Sequence, residues 1–399
     1  MRLTPAVELE HRCSRLQSSM AEAGMDAVIL VQNADLFYFT GTIQSGALYV
    51  PSSGQPLYMV RRDFMRARME SGLKEVVPFT SPSAIPGILS DYGYSMPVSI
   101  GMEFDVLPVA ILERYQKVFP SSAFSDASVL VRKIRMIKSH YEIHIMQDAS
   151  HQVNKVYQAA GAILKEGMSD VAFAAEIERV ARLEGHSGIT RMRIFNGEVA
   201  YGQIFSGADS AVPAFSDTPL GGVGTTPAFG SGASFKPILH NEPIVLDLSG
   251  CCDGYVVDQT RIMAIGGLSA KLMKGYEDML RVQELMKGMI PQLPSWGEVY
   301  DECLSFAASM GYADSFMGGN GSQVSFIGHG IGVEIDEYPF IARGFNNMQI
   351  EPGMAFAFEP KLVFPGEGAV GIENSFYLAD DGTLKQLTFS DEKIMILAR

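Results

Sequence analysis

The chain has 399 residues, which is too many for one ordinary domain and predicts two. Hydrophobic residues make up 47% and charged residues 19%, the balance of a folded globular protein. Acidic residues outnumber basic ones by 45 to 31, a net charge of −14, which disfavours binding to nucleic acid or to an anionic membrane surface. The first residues do not resemble a signal peptide, and no apolar run reaches the roughly 20 residues of a membrane-spanning helix. We therefore expect a soluble, cytoplasmic protein without nucleic-acid or membrane partners.

Helices and strands alternate along the first third of the chain. The apolar pattern predicts helices over 7–23, 61–71 and 106–118, and strands over 26–32, 47–50, 56–60 and 98–102. The segment PSSAFSD, residues 120–126, is predicted to be a loop that closes this unit. Interleaved strands and helices indicate an α/β domain, which we place at residues 1–136.

A second unit begins at Ser139. Ser139 and Glu142 have the spacing of a capping box, in which each side chain satisfies a free backbone donor at the start of a helix. Apolar residues then recur every three or four positions towards Gly167, which predicts a long amphipathic helix. Further helices are predicted over 171–183, 270–289 and 298–310, between strand-like segments. We therefore expect an α+β domain over residues 137–399.

Four acidic residues stand inside apolar, strand-like segments. Asp247 lies in IVLDLSG and Asp258 in GYVVDQTR, with Gly254 as the turn of a hairpin between them. Glu359 lies in MAFAFEP and Glu373 in VGIENSFYL, with the turn sequence PGEG between them. A single acid of this kind is more often a hydrogen-bonded structural residue than a functional one. If the two hairpins converge, however, four buried carboxylates repel one another and must take up protons unless cations lie between them.

A histidine could complete such a cation site. His329 lies in IGHGIGVE, where the neighbouring glycines allow close approach. Oxygen donors with one imidazole suit Mn²⁺, Co²⁺, Zn²⁺ or Fe²⁺, and a pair of ions about 3.5 to 4 Å apart is the usual two-metal arrangement. We therefore predict two divalent metal ions. The other histidine group, His140, His144 and His151, shares one face of the helix after Ser139 without an acid cluster, which favours a solvated polar face.

Five residues resemble, in their order and local context, the metal ligands of the pita-bread metallopeptidases, which include methionine aminopeptidase, Xaa-Pro aminopeptidase and prolidase. They are Asp247, Asp258, His329, Glu359 and Glu373. The segments DLSGCCDGYVVDQTR, GHGIG and PGMAFAFEP are similar to the ligand-bearing motifs of that family. The first unit, joined to the second by VRKIRMIKSHYEI, resembles the creatinase-type domain that precedes the catalytic domain in the Xaa-Pro aminopeptidase and creatinase branches. The resemblance covers nearly the whole chain. It implies a creatinase-like α/β domain followed by an α+β pita-bread catalytic domain.

The resemblance also implies a role for each residue. Asp247 would bind one metal ion, His329 and Glu359 the other, and Asp258 and Glu373 would bridge the two. A water between the ions would lose a proton and attack a peptide or amide carbonyl, because such ions lower the pKa of bound water. Glu359 would be the catalytic general base. The expected substrate is a small peptide of the Xaa-Pro type, and we expect a homodimer, as is common among these relatives.

The chain departs from the family pattern on the substrate side. Two imidazoles of the peptidases are replaced, one by Asp336 and one by Ala214, and the arginine expected before the last ligand is Gly371. An anionic Asp336 would repel a developing oxyanion, so it must be protonated, bind a cationic group of the substrate or point away.

A segment rich in Gly and Pro, residues 217–234, lies between the predicted helix over 171–183 and Pro243. Its composition predicts an irregular loop, and loops of this length are often functional. Lys236 and His240 follow it and are further substrate-side candidates, alongside Asp336.

Three functions remain open on these observations. The first is a dinuclear metallohydrolase that cleaves a peptide or amide bond. The second keeps the metal site but acts as a hydrolase or lyase on a small non-peptide molecule, because both substrate-side imidazoles are missing. The third is a binding module without catalysis, which the five intact ligands argue against because converging acids are costly to maintain without metal.

Overall fold

The computed structural model describes residues 2–398, and the chain divides into two compact units. The first comprises the residues up to Arg135 together with Arg193–Gly197, and the second comprises Met136–Met192 and the residues from Glu198 onwards. Among the described residues, no helix combines the length and the apolar character needed to cross a membrane.

The first unit is a six-stranded sheet with helices, so the predicted α/β class is confirmed. The sheet order is β4-β3-β2-β1-β5-β6, with antiparallel pairing of β1 to β2 and of β2 to β3 and parallel pairing elsewhere. Its helices are α1 (Ala6–Glu22), α2 (Asn33–Thr40), α3 (Phe64–Glu70), α4 (Ile85–Asp91), α5 (Val109–Val118) and α6 (Ser128–Met136). Its strands are β1 (Ala27–Leu30), β2 (Gly46–Pro51), β3 (Leu57–Val60), β4 (Glu75–Pro78), β5 (Ser99–Met102) and β6 (Ala123–Asp126).

The loop prediction for 120–126 was wrong at β6, and α2, α4, α6 and β4 were not predicted. β6 is a mostly exposed edge strand that pairs with β5 through backbone hydrogen bonds, so its side chains show no alternation between apolar and polar. α2 has only eight residues and most of them are buried, so it lacks the polar face on which a helical period depends.

A buried cluster of charged side chains lies within the first unit. Asp35 is fully buried and accepts from Arg135 and Arg193, each at 2.7 Å. Arg193 also pairs with Asp105 at 2.8 Å. Burial would raise the pKa of Asp105, but hydrogen bonds and charge from Arg193 outweigh it and lower the pKa to about 2. These pairs attach Arg193–Gly197 to the first unit although that segment is distant in sequence.

The second unit contains four helices and eleven strands among the described residues. The helices are α7 (His140–Ile163), α8 (Asp170–Leu183), α9 (Ala270–Met289) and α10 (Trp296–Ser309). The strands are β7 (Gly202–Ser206), β8 (Ile244–Cys252), β9 (Tyr255–Ile265), β10 (Phe326–Ile331), β11 (Ile335–Ala342), β12 (Ala355–Phe358), β13 (Lys361–Phe364), β14 (Gly368–Gly371), β15 (Asn374–Leu378), β16 (Leu384–Gln386) and β17 (Met395–Leu397). They form sheets of order β17-β9-β8-β7 and β11-β10-β12-β15-β16, and a separate β13-β14 hairpin. This mixture confirms the predicted α+β class.

The capping box predicted at the start of α7 is present. The Ser139 side chain accepts from the Glu142 backbone N–H at 3.3 Å, and the Glu142 carboxylate accepts from the Ser139 N–H at 2.9 Å. The helix ends at Ile163, four residues before Gly167. Packed against β8 and β9, α7 supports the hairpin that carries two of the predicted acids.

An aromatic stack supports β12 and β15, the strands that lead to the other two acids. Phe356 lies with its ring centroid 5.0 Å from Trp296 and 5.7 Å from Phe376. All three side chains are fully buried or nearly so. Rings of this size contribute a large part of core stability and fix the positions of the strands that bear them.

Candidate metal centre

The β8–β9 hairpin brings Asp247 and Asp258 onto one face. Its turn includes Gly254 at φ +87°, a left-handed conformation that glycine adopts without steric cost. The register pairs Asp247 with Thr260 and Ser249 with Asp258. Since side chains two residues apart on a strand share a face, Asp247, Thr260 and Asp258 point to the same side of the sheet.

Glu359 and Glu373 lie between strands rather than inside them: Glu359 between β12 and β13, and Glu373 between β14 and β15. β12 ends at Phe358, which pairs with Asn374 at the start of β15. The predicted turn PGEG closes the β13–β14 hairpin, whose far end pairs Lys361 with Gly371. Each glutamate therefore occupies the short irregular step between the large sheet and the hairpin.

His329 on β10 faces both glutamates. Its Nε2 lies 3.8 Å from Glu359 Oε1 and 3.8 Å from Glu373 Oε1. Its Nδ1 lies 3.1 Å from the Gly330 carbonyl oxygen and 3.3 Å from Asp336 Oδ1. Two acceptors at Nδ1 favour the tautomer with the proton on Nδ1, which leaves Nε2 free as a ligand, the arrangement in which a second group orients a metal-binding imidazole.

One divalent ion fits between three of the predicted ligands. Ligand atoms of Asp258, His329 and Glu373 lie within 4.8 Å of one another, and all three residues are buried. Ligands on opposite sides of an ion with bonds of roughly 2.0 to 2.2 Å have this spacing. Glu373 Oε1 is buried without a hydrogen-bond partner among the described residues, which is costly unless a cation binds it. Two carboxylates with an imidazole suit Mn²⁺, Fe²⁺, Co²⁺ or Zn²⁺.

A lysine that was not predicted shares this cluster. Lys361 is 1% exposed, and its Nζ donates to Glu359 Oε2 at 2.6 Å, Glu373 Oε2 at 3.0 Å and Asp247 Oδ2 at 3.2 Å. Thr260 Oγ1 also donates to Glu373 Oε2 at 2.8 Å. The four predicted acids therefore converge, but an ammonium group of the protein lies among three of them.

Burial and mutual repulsion disfavour full ionisation of the acids. Burial raises the pKa of Asp247 to about 6 although Lys361 opposes the change. Burial also raises the pKa of Asp258 well above its usual range, and Glu373 and Asp247 add to the effect. Burial would lower the pKa of Lys361, but Asp247, Glu359 and Glu373 outweigh it and raise the pKa, so the lysine stays charged. The cluster thus favours a further cation.

The substrate-side candidates are dispersed. Asp336, at φ +61° in β11, contacts His329 as described above. Lys236 donates to Glu242 at 2.6 Å and to Ser206 at 2.9 Å. His240 pairs with Glu166 at 3.1 Å. Within residues 2–398, neither Lys236 nor His240 makes a polar contact with the five predicted ligands.

The Gly- and Pro-rich segment 217–234 is irregular, as predicted. It lies within the described residues and forms neither helix nor strand, apart from one isolated bridge between Thr226 and Phe229. Its first residues and the preceding Ala214 line a cavity of about 310 Å³, which Gly319 and Val363 also line.

Sequence reasoning missed Lys361 and Thr260. Thr260 stands two residues after Asp258, so strand alternation places it beside the predicted ligands. Lys361 stands two residues after Glu359, a charged residue at the start of an otherwise apolar strand. A lysine in such a position signals a buried partner, because lysine is almost never fully buried unless paired.

Comparisons with known proteins agree with both halves of the resemblance. The profile of metallopeptidase family M24 matches residues 144–380, and that of the creatinase/prolidase N-terminal domain matches residues 12–137. An Xaa-Pro dipeptidase of Pyrococcus furiosus is 25% identical over 389 residues, covering 97% of this chain and 100% of the relative. An Xaa-Pro dipeptidase of Lactobacillus delbrueckii subsp. lactis is 25% identical over 398 residues, covering 96% of this chain and 98% of the relative.

Solved structures share the fold. An Xaa-Pro dipeptidase from Bacillus anthracis matches with a TM-score of 0.81 at 24% identity, covering 98% of this chain and 100% of that one. The prolidase from Pyrococcus horikoshii OT3 matches with a TM-score of 0.79 at 23% identity, covering 96% and 100%. These matches confirm the predicted fold, a creatinase-type α/β domain followed by a pita-bread domain. Since the family profile spans more than half of the chain and includes all five predicted ligands, the protein belongs to metallopeptidase family M24.

Proposed function

We propose that this protein is a metal-dependent peptidase that hydrolyses dipeptides or short peptides with proline in the second position. The observation that carries the proposal is the convergence of Asp258, His329 and Glu373 in a geometry that fits a divalent ion. The relatives named Xaa-Pro dipeptidase, which match almost the full length of the chain, support this substrate class.

The side chains of the site have separate tasks in this reaction. A divalent cation supplies Lewis acidity, which polarises a carbonyl group and lowers the pKa of water. Asp258, His329 and Glu373 would hold that cation. Asp336 and the Gly330 carbonyl fix the ring of His329 through Nδ1, so that Nε2 points into the cluster.

Glu359 is suited to move the proton. Its Oε2 accepts from Lys361 at 2.6 Å, and its Oε1 faces His329 Nε2 at 3.8 Å. Burial raises the pKa of Glu359 even though Lys361 and His329 oppose the shift, so this carboxylate accepts a proton more readily than an exposed glutamate. A general base of this kind takes a proton from the attacking water and delivers it to the leaving amine.

The test is metal-dependent hydrolysis of defined peptides. Full-length protein is stripped with a chelator, supplied in turn with Mn²⁺, Co²⁺, Zn²⁺ or Fe²⁺, and assayed on Xaa-Pro dipeptides with the matched Xaa-Ala dipeptides as controls. We expect turnover of the proline peptides only when metal is present. Glu359→Gln should lower kcat by about 10²- to 10⁴-fold, the usual contribution of a general base, whereas His151→Gln on exposed α7 surface should not. Failure of every metal and every peptide would contradict the proposal.

A second candidate is a hydrolase or lyase that acts on a small non-peptide molecule at the same site. Ala214 and Asp336 favour it, because both stand where the resembling peptidases carry an imidazole. In that case Asp336→His should damage the native activity. A gain of peptide hydrolysis in Asp336→His would instead favour the peptidase.

Two further proposals concern the setting of the protein. The homodimer expected from the resemblance is tested by sedimentation of the purified chain. The cytoplasmic location expected from the sequence is tested by fractionation of cells that produce it.

A further inference from the structure

Lys361 lies where an ion bound by Asp247 would have to lie. The three hydrogens of an ammonium group are its only donors, and here Nζ is 2.6, 3.0 and 3.2 Å from oxygens of Glu359, Glu373 and Asp247. A metal ion bonded to these same oxygens would sit roughly 2.0 to 2.2 Å from each. The ion and the ammonium group would therefore occupy the same space.

The lysine cannot vacate this position easily. Lys361 is 1% exposed, and its Nζ is held by three carboxylates. Its departure would leave Asp247 and the buried Glu359 and Glu373 without their shared cation, and removal of one partner from a buried ion pair is strongly destabilising.

The backbone opposite Lys361 is shaped for it. Gly371 is the ladder partner of Lys361, and a Cβ at Gly371 would lie 2.7 Å from Lys361 Cα and 2.8 Å from its Cγ. The arginine that the resemblance predicts at this position would collide with the lysine stem. The absence of arginine at position 371 and the presence of Lys361 are therefore linked, because the two positions pair across the hairpin and only one large side chain fits.

The glutamate oxygens that Lys361 does not use face one site beside His329. Glu359 Oε1 and Glu373 Oε1 both face His329 Nε2, and Asp258 completes the group with His329 and Glu373. The sequence predicted two ions, one of them bound by Asp247. Only the ion on the His329 side fits the described residues.

We propose that the metal centre is mononuclear, with one divalent ion on the His329 side and the Lys361 ammonium group in place of the ion on the Asp247 side. This inference rests on the proposed function and specifies its cofactor. Four carboxylates, one ammonium group and one divalent ion leave one net negative charge in the cluster, whereas four carboxylates alone are not sustained in a buried site.

The test measures metal stoichiometry rather than activity. Full-length protein is stripped with a chelator and titrated with Mn²⁺ by calorimetry, and bound metal is determined by elemental analysis after gel filtration. We expect one equivalent per chain and the electron paramagnetic resonance spectrum of an isolated Mn²⁺ ion. Lys361→Ala should bind a second equivalent and give an exchange-coupled spectrum. Lys138→Ala, which removes a buried lysine paired with Glu337 at 3.0 Å, is the matched control and should stay at one.

Two ligand variants keep the test decisive if Lys361→Ala does not fold. Asp247→Asn should retain the single equivalent, because Asp247 binds lysine rather than metal, and His329→Ala should lose it. Two equivalents in the unmodified protein would overturn the mononuclear centre but leave the metallopeptidase proposal intact. No bound metal in the unmodified protein would overturn both.

Discussion

Asp336→Asn should lower the affinity for metal although Asp336 is not one of the proposed metal ligands. Asp336 Oδ1 lies 3.3 Å from His329 Nδ1, and the Gly330 carbonyl lies 3.1 Å from the same nitrogen. Loss of a group that orients a metal-binding histidine costs 10- to 100-fold in metal affinity or activity in general. Because the Gly330 carbonyl remains, we expect the lower end, about tenfold, which corresponds to about 1.4 kcal/mol.

The assay is calorimetric titration of stripped protein with Mn²⁺, together with separate determination of kcat and KM on the preferred peptide. The chain offers a matched control in His140, whose Nε2 lies 3.3 Å from Asp380 Oδ2 on the surface. Asp380→Asn removes an aspartate–histidine contact of the same length and should leave metal affinity unchanged.

The outcome separates a positioning residue from a substrate-binding one. If Asp336 orients His329, metal affinity falls. If Asp336 instead binds a cationic group of the substrate, Asp336→Asn raises KM and leaves the Mn²⁺ affinity as it was. That second result would refute the positioning role of Asp336.

Two further predictions concern stability of the first unit. Asp35→Ala should lower the free energy of unfolding by about 3 to 5 kcal/mol, because Arg135 and Arg193 lose a buried partner. Urea denaturation measures this, with exposed Glu176→Ala, paired with Arg179, changing it by less than about 1 kcal/mol. An equal loss in both variants would exclude the buried cluster as the cause. Burial, with Asp35 adding, raises the pKa of Glu103 to about 7 from 4.5. The native state therefore holds a proton that the unfolded state releases, and stability should fall by about 3 kcal/mol as the pH rises from about 4.5 through 7. Glu103→Gln should flatten this slope, and an unchanged slope would exclude Glu103 as its source.

Local sequence was sufficient for the β8–β9 hairpin. A glycine predicts the turn, and once the strands pair, Asp258 lies two residues from the partner of Asp247, so the two acids share a face. The structure has Gly254 at φ +87° and Asp247 opposite Thr260. The same reasoning could not position Glu359 and Glu373, because both lie just outside regular strands, where alternation no longer determines direction.

The role of Lys361 could not be read from its own segment. Gly371 stands where the family pattern has an arginine, and the register of β13 and β14 places Lys361 directly opposite Gly371. Only the pairing of strands reveals that a basic residue is still present, moved to the opposite strand and turned towards the acids. This is information about contacts between distant parts of the chain, which a single sequence contains only implicitly.

The departures from the family pattern also bear on the electrostatics of the proposed centre. With the single divalent ion proposed above and Lys361, the cluster would keep one net negative charge, which the free amino group of a dipeptide would balance. The negative charge that develops on a carbonyl oxygen needs donors or cations close by. Under the proposed function, Ala214 and Asp336 would supply neither, and the hydrogens of Lys361 already bind three carboxylates, so that task would be left to the divalent ion. A lysine in place of an ion would explain why Lys361 and Gly371, which pair across the β13–β14 hairpin, occur together in one chain.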